Sequence, residues 1–223
     1  AVNTDINAIY LFGAPAAGLK VSGRVSLRSQ RTIDAFQGFQ FGAYDAPTLR
    51  KSAVLPASTT DDTGLAKVAV VLPELADVNT PMDARFEVQV AEGSGRPTER
   101  HESRRLLPAK PLIGIKPLFD SSGPEGSDAA FDVIVVGPDL TPIKANARWT
   151  VNRVRTRYQW YEQYGRWRWE PIVSRSKIAS GTLDMPAGKG SLSVPVEWGQ
   201  FEVVVELEGE SYTLSSEQFS AGW

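Results

Sequence analysis

Cysteine is absent from the 223 residues of this sequence, and histidine occurs once, as His101. The absence of cysteine excludes disulfide bonds, thiolate metal sites and cysteine nucleophiles. His101 lies in a run of charged residues, so we expect it on the surface of a strand. A single imidazole is a poor basis for a zinc site. We therefore predict that the chain holds no metal.

Motifs of catalysis are missing as well. There is no Gly-x-Ser-x-Gly elbow, and Gly188-Lys189-Gly190 lacks the leading Gly and the Ser or Thr of a phosphate-binding loop. No pair of acidic residues stands out against an apolar background, as a general acid and base would. We therefore predict no catalytic residues, no cofactor and no enzymatic activity.

Long apolar runs and an excess of one charge are also lacking. No run of about 18 apolar residues occurs, so we expect no direct membrane insertion. The 24 basic residues against 26 acidic ones give a net charge of −2, which argues against nucleic acid as a partner. The sequence does not begin with methionine, and its N-terminus has neither the basic nor the apolar region of a signal peptide. We therefore expect this chain to be a piece of a longer protein.

What the sequence does contain is an alternation of apolar and polar residues, in short stretches that are each followed by turn-forming residues. Nowhere does the apolar spacing of a helix persist. The number and length of these stretches predict an all-β fold of two tandem antiparallel β-sandwiches, of the immunoglobulin or fibronectin type III kind. We place the boundary in the linker that contains Pro108 and Pro111, which gives domains of residues 1–107 and 108–223.

Thirteen strands are predicted, six before this linker and seven after it. The first six are Thr4–Phe12, Leu19–Ser29, Leu49–Leu55, Leu65–Leu72, Arg85–Ala91 and Arg96–Leu106. The other seven are Leu112–Phe119, Ala129–Gly137, Ala145–Tyr161, Trp167–Ser180, Ser191–Pro195, Gly199–Glu208 and Ser211–Ser215.

A stretch rich in arginine and aromatic residues, Arg153–Glu170, predicts a long two-stranded hairpin that turns at Tyr164-Gly165. The alternation puts aromatic side chains on one face and arginines on the other. Such residues are typical of interaction hot spots and can also stack on sugars or bases. The regular alternation favours the plainer interpretation, in which the aromatics cover the core or a neighbouring domain, because a half-buried hairpin requires that alternation. The candidate interface residues are Tyr158, Trp160, Tyr164, Trp167 and Trp169.

Three stretches resemble bacterial alpha-2-macroglobulins. Ala8–Leu19, which reads Ala-Ile-Tyr-Leu-Phe-Gly-Ala-Pro-Ala-Ala-Gly-Leu, resembles the opening of a macroglobulin-like domain. Leu112–Phe119 and Phe219–Trp223 resemble the following domain and its exit strand, and the Tyr158–Trp169 hairpin is also similar to the family's pattern. The resemblance covers the whole chain and implies two consecutive macroglobulin-like domains, the fifth and sixth, ahead of the bait region.

The resemblance implies a non-catalytic scaffold fragment of a broad-spectrum protease inhibitor in the periplasm or cell envelope, whose parent could be anchored to a membrane. The implied partners are neighbouring domains of the parent and, through the parent, target proteases. In this family a protease cuts an exposed bait segment, the molecule rearranges, and in many members a Cys–Gln thioester captures the attacker. Here Ser215 stands where the thioester pattern before Glu217-Gln218 has cysteine, and no bait-like stretch occurs, so no trapping residue carries over.

Two other interpretations remain open from the residues. The alternative of a different class is a surface adhesin or carbohydrate-binding β-sandwich module that uses the aromatic hairpin. The third is an accessory sandwich of a secreted hydrolase, whose catalytic domain would then lie elsewhere in the longer protein.

Overall fold

The computed structural model describes residues 2–73, 75, 78–92, 95, 97–120, 126, 128–209 and 212–222. These residues contain fifteen β-strands and no helix, hence none that could cross a membrane, and they confirm the predicted all-β fold. In chain order the strands are β1 (Val2–Asn7), β2 (Lys20–Ser29), β3 (Gln40–Phe41), β4 (Arg50–Val54), β5 (Ser58–Thr59), β6 (Leu65–Val70), β7 (Met82–Ala91), β8 (Thr98–Leu106), β9 (Leu112–Pro117), β10 (Asp128–Val136), β11 (Ala145–Gln163), β12 (Arg166–Met185), β13 (Lys189–Pro195), β14 (Gly199–Leu207) and β15 (Leu214–Ala221).

The chain divides into two compact units, residues 1–30 with 47–107 and residues 31–46 with 108–223. In the first unit a sheet of order β4-β2-β7-β8, with β5 beside β2, packs against a two-stranded sheet of β1 and β6. All of these neighbours are antiparallel. Alternate residues of the strands point between the two sheets, where Val25, Val70 and Met82 are among the buried core residues.

The second unit has the same two-layer construction. One sheet has the order β13-β10-β9-β3 and the other has the order β12-β11-β14-β15. Its core contains a cluster of aromatic rings, in which Phe131 contacts Phe119 and Phe219 edge to face at centroid distances of 5.3 and 5.0 Å. Because each unit buries its own apolar face, each is a sandwich in its own right.

The placement of residues 31–46 differs from the prediction, because the predicted boundary assigns them to the first domain. They form part of the second unit, where β3 pairs with β9 and the Phe41 ring is fully buried. A Cβ atom on Gly114 of β9 would lie 2.9 Å from that ring, so the glycine makes room for it. The chain therefore passes between the two units three times, after residues 30, 46 and 107.

Side chains fix this segment, residues 31–46, to β15 of the second unit. The Arg31 guanidinium donates to the Glu217 carboxylate at 2.8 Å and to the Ser216 carbonyl at 2.7 Å. The Ser216 amide and the Ser215 hydroxyl both donate to the Gly42 carbonyl. Since β3 pairs with β9 in the other sheet, the segment connects the edges of the two sheets of this sandwich.

The strand ends depart from prediction where a local turn interrupts the alternation. The predicted strand Thr4–Phe12 stops at Asn7, because the chain turns back on itself and Ile9 bridges to Pro15. The Ala8 amide donates to the carbonyl of Gly64 and extends the pairing with β6 by one residue. Gly64 has φ of +81°, and a Cβ there would lie 2.3 Å from the Ala8 oxygen. The last strand occupies Leu214–Ala221, whereas the prediction ended it at Ser215; Ser211 and Trp223 lie outside the described residues.

Candidate functional site

The arginine- and aromatic-rich stretch forms the predicted hairpin from β11 and β12. The two strands are joined at Tyr164 and Gly165, whose φ angles of 54° and 72° are those of a type I′ turn. This turn follows the right-handed twist of the strands and sets the register. Trp160 lies directly opposite Trp169, and Tyr158 lies opposite Pro171. Residues directly opposite each other share a face, so the register confirms the predicted aromatic face.

The hairpin extends beyond the sheet that carries it. β14 pairs with β11 only as far as Val154, which lies opposite Gln200. From Arg155 to Ser174 the structure is a two-stranded ribbon, which we call the aromatic ribbon. Within the sheet, the register of β11 and β12 shifts by one residue, since Val151 lies opposite Ala179 and Asn152 lies opposite Lys177.

The aromatic face of the ribbon is open to solvent. Tyr158 and Trp160 are each 63% exposed, Trp167 is 70% exposed and Trp169 is 57% exposed. The Tyr158 and Trp169 rings contact each other edge to face, with centroids 5.2 Å apart. Tyr164 at the tip is 92% exposed. The five residues named from sequence are thus held together on one projecting element, and none belongs to the core of its unit.

The opposite face of the ribbon is basic. Alternation puts Arg155 and Arg157 of β11 on this face, together with Arg166 and Arg168 of β12. With Glu162 and Glu170 as its acidic residues, the ribbon has a net charge of +2 in a chain whose net charge is −2. The ribbon thus presents aromatic rings on one side, with Glu162 opposite Trp167, and four arginines with Glu170 on the other.

The aromatic face continues the outer face of the large sheet, not its core face. On β14, Phe201, Val203 and Val205 belong to the core, and they pair with the odd-numbered residues of β11. The even-numbered residues of β11, which include Tyr158 and Trp160, therefore point away from the core. The interpretation that these rings cover the core of their own domain is wrong.

An ion-pair network lies on the same outer face where the ribbon begins. The Arg175 guanidinium donates to Glu202 at 2.8 Å and to Asp45 at 2.9 Å. The hydrogen bond that Arg175 donates to Glu202 is the main cause that raises the pKa of Arg175, and Asp45 adds to it. Glu202 is buried, so the guanidinium provides its countercharge, and the network connects β12, β14 and the segment of residues 31–46.

The other residues that the sequence singled out lie apart from the ribbon. His101 is exposed on β8, opposite Glu87. The Ser215 side chain is buried and its hydroxyl is bonded to a backbone carbonyl, which is a structural role. Trp198, an exposed residue between β13 and β14, was not predicted because it stands alone outside any alternating stretch.

Comparison with known proteins gives matches along the whole chain. Residues 1–108 match the family model described as Bacterial Alpha-2-macroglobulin MG5 domain, and residues 114–223 match that described as Bacterial macroglobulin domain 6. The alpha-2-macroglobulin of Escherichia coli K12 is 30% identical over 246 residues, which cover 100% of this chain and 14% of that protein.

Solved structures of the Escherichia coli protein are similar to this one. Its native conformation, from cryo-electron microscopy, matches with a TM-score of 0.74 at 29% identity over 99% of this chain and 15% of that one. The form activated by porcine elastase matches with a TM-score of 0.73 at 30% identity over 100% of this chain and 20% of that one. This chain therefore spans about one seventh of the relative's length.

Proposed function

We propose that this chain, which belongs to the bacterial alpha-2-macroglobulin family as its macroglobulin domains 5 and 6, is a non-catalytic scaffold within a longer protease inhibitor. The observation that supports this role most is the aromatic ribbon. The second sandwich, which has a core of its own, carries the ribbon, and the aromatic face points away from that core. A rigid support with an uncovered apolar surface is suited to join other domains.

The partner proposed for the aromatic face is another domain of the longer chain. Contiguous exposed aromatic side chains are typical of surfaces that become covered in an assembly, because burying them removes apolar area from water. About six sevenths of the related protein lies outside the matched region, which provides ample surface for such contact. The arginine face would then remain in solvent or line the rim of the contact.

The proposed mechanism uses the two sandwiches as rigid bodies. A protease cuts a bait segment elsewhere in the longer chain, and the domains move as units around the site of the cut. The target enzymes would include proteases such as elastase, which activates the related Escherichia coli protein. We place the longer protein in the periplasm or cell envelope, where fractionation of the source cells with compartment markers would detect it.

The test uses the full-length protein with the paired change Trp160→Ser and Trp169→Ser. We expect inhibition of elastase acting on a protein substrate to fall at least tenfold, because the aromatic face no longer docks. The matched control is Arg155→Ser with Arg157→Ser on the opposite face of the same ribbon, which should inhibit within twofold of the wild type. Thermal unfolding of residues 1–223 with the same changes shows that both variants fold.

Inhibition that is unchanged in the tryptophan variant would overturn the docking role. The same variants also decide the alternative of a carbohydrate-binding module. Saturable binding of a polysaccharide to residues 1–223, lost on Trp160→Ala while the fold is kept, would favour the carbohydrate module over the scaffold.

A further inference from the structure

The arginine face of the aromatic ribbon carries its four cations in two pairs. Arg155 and Arg157 lie on β11, and Arg166 and Arg168 lie on β12. In the register of the two strands Arg168 lies opposite Tyr161, four residues beyond Arg157. Because residues directly opposite each other share a face, guanidinium groups line this face from its base almost to the tip.

These four guanidinium groups have no acidic partner among the residues that the structure describes. All four residues are exposed, and none of their guanidinium groups takes part in an ion pair there. Their neighbour at the foot of the ribbon differs, since Arg153 pairs with Glu197 and donates to the Trp198 carbonyl at 2.6 Å. The cations of the arginine face are therefore available to a partner outside the described chain.

The arginine face is also a local excess of positive charge on an acidic chain. Glu170 is its only acidic residue, so the face has a net charge of +3, whereas the whole chain has a net charge of −2. From Arg155 to Tyr164 the ribbon extends about 30 Å beyond the sheet, at about 3.3 Å for each residue. The Debye length at physiological ionic strength is about 8 Å, so the negative charge elsewhere on the chain is screened from the outer arginines.

The residue types on this face are suited to a plane of phosphate groups. A guanidinium group can donate two parallel hydrogen bonds to one phosphate. Tyr161 lies among the arginines and Tyr164 lies at the tip, and tyrosine is enriched at the level of the headgroups where proteins meet a bilayer. Four cations side by side on an open ribbon match many phosphates in one surface better than a single enclosed anion.

We propose that the arginine face binds the phosphate headgroups of an anionic phospholipid bilayer. The ribbon lies along the bilayer with its arginines toward the headgroups, and the aromatic face points the other way, toward the domain that covers it. Lipid binding and docking therefore use opposite faces of one element and occur together. Inhibition of a protease in solution, without a membrane, does not use the arginine face.

The test measures how residues 1–223 sediment with vesicles of phosphatidylglycerol and phosphatidylcholine in equal parts, and with vesicles of phosphatidylcholine alone. The variant is Arg166→Ser with Arg168→Ser. Its matched control is Arg28→Ser with Arg50→Ser, which changes the net charge equally at two exposed arginines that lie opposite each other on β2 and β4. Thermal unfolding shows that both variants fold.

We expect the wild type to bind the mixed vesicles at least tenfold more tightly than vesicles of phosphatidylcholine alone. The ribbon variant should bind the mixed vesicles at least tenfold more weakly than the wild type, because each arginine near an anionic surface strengthens binding about fivefold. The control should bind within twofold of the wild type. Raising the ionic strength to about 1 M, where the Debye length falls to about 3 Å, should release the wild type.

A dye on a single thiol shows which face meets the bilayer, because the natural chain has no cysteine. Gln159→Cys lies on the arginine face and Thr156→Cys lies on the aromatic face, and both positions are exposed. On binding to the mixed vesicles, the emission of an environment-sensitive dye should shift at least threefold more on Gln159→Cys than on Thr156→Cys.

Equal binding of the two arginine variants would overturn the proposal, as would binding that persists at high salt. A larger dye shift on Thr156→Cys, or an equal loss of binding with Trp160→Ser and Trp169→Ser, would show that the aromatic face enters the bilayer instead. Equally tight binding of soluble polyglutamate or of inorganic phosphate, lost in the same arginine variant, would make an acidic polypeptide or a free anion the ligand and would also overturn it. These outcomes leave the scaffold role untouched, because none of them measures protease inhibition.

Discussion

Tyr164 has a left-handed backbone conformation that tyrosine rarely adopts. Its φ of 54° lies in the left-handed region, where asparagine and glycine are favoured and a residue of tyrosine's size is rare. The side chain contributes no burial there, since it is 92% exposed. A tyrosine at this tip is therefore explained by contact with a partner better than by the stability of the hairpin.

Tyr164→Asn should consequently make the hairpin of residues 1–223 more stable, by about 1 kcal/mol, because the turn is relieved of strain. Hydrogen exchange of the amides near the turn measures this, and we expect protection to rise about fivefold. Tyr164→Phe keeps the strain and should exchange like the wild type. Faster exchange in the asparagine variant would show that the tyrosine ring stabilises the turn.

The buried carboxylate of Glu202 depends on Arg175. Arg175→Met removes the guanidinium and leaves the Glu202 carboxylate without its partner, so we expect a loss of about 2 kcal/mol in the free energy of unfolding. This loss is smaller than for a fully buried pair, because Arg175 is partly exposed. Urea unfolding of residues 1–223 measures this loss. Adding Glu202→Leu to the same chain should recover at least half of it, since no uncompensated charge then remains. A double variant as unstable as the single one would contradict this account.

At the scale of elements, strands were predictable because their period is local. The alternation in residues 145–185 encodes both arms of the hairpin and its two faces, and Tyr164-Gly165 marks the turn. β3 was missed because it is two residues long and its partner β9 lies more than 70 residues later. The contacts of Arg31 with Glu217, 186 residues apart, leave no periodic trace in the sequence. The exposure of the aromatic face could not be predicted from the hairpin sequence alone. It follows from which residues of β14 point into the core and which residues of β11 lie opposite them.

The segment of residues 31–46 gives a prediction at this scale. Phe41→Ala empties a fully buried site against Gly114 and should cost about 3–5 kcal/mol in the second unit, although the residue lies in the first half of the chain. Hydrogen exchange of β9 in residues 1–223 is the measurement, with faster exchange expected. Gln37→Ala, at an exposed position of the same segment, is the control and should leave β9 unchanged. Unchanged exchange of β9 in the alanine variant of Phe41 would show that β3 does not stabilise it.

At the scale of the whole molecule, two sandwiches are joined by three passages of the chain, and the aromatic ribbon extends from one of them. The number of sandwiches was predictable from the count of strands. The placement of residues 31–46 in the second unit was not, because it depends on long-range packing. In this account the sandwiches are the supports of a longer inhibitor, and the ribbon is the surface through which they join it.

Hydroxyl-radical footprinting of the tryptophan side chains tests that claim most directly, because it measures exposure at the aromatic face itself. We expect Trp160, Trp167 and Trp169 to be oxidised at least fivefold more slowly in the full-length protein than in residues 1–223, because another domain covers them there. Trp149, which packs against the core of the second unit, should react at the same rate in both and serves as the internal control. Equal rates at the three ribbon tryptophans in the two proteins would contradict the account, since the aromatic face would then be as open in the longer protein as it is here.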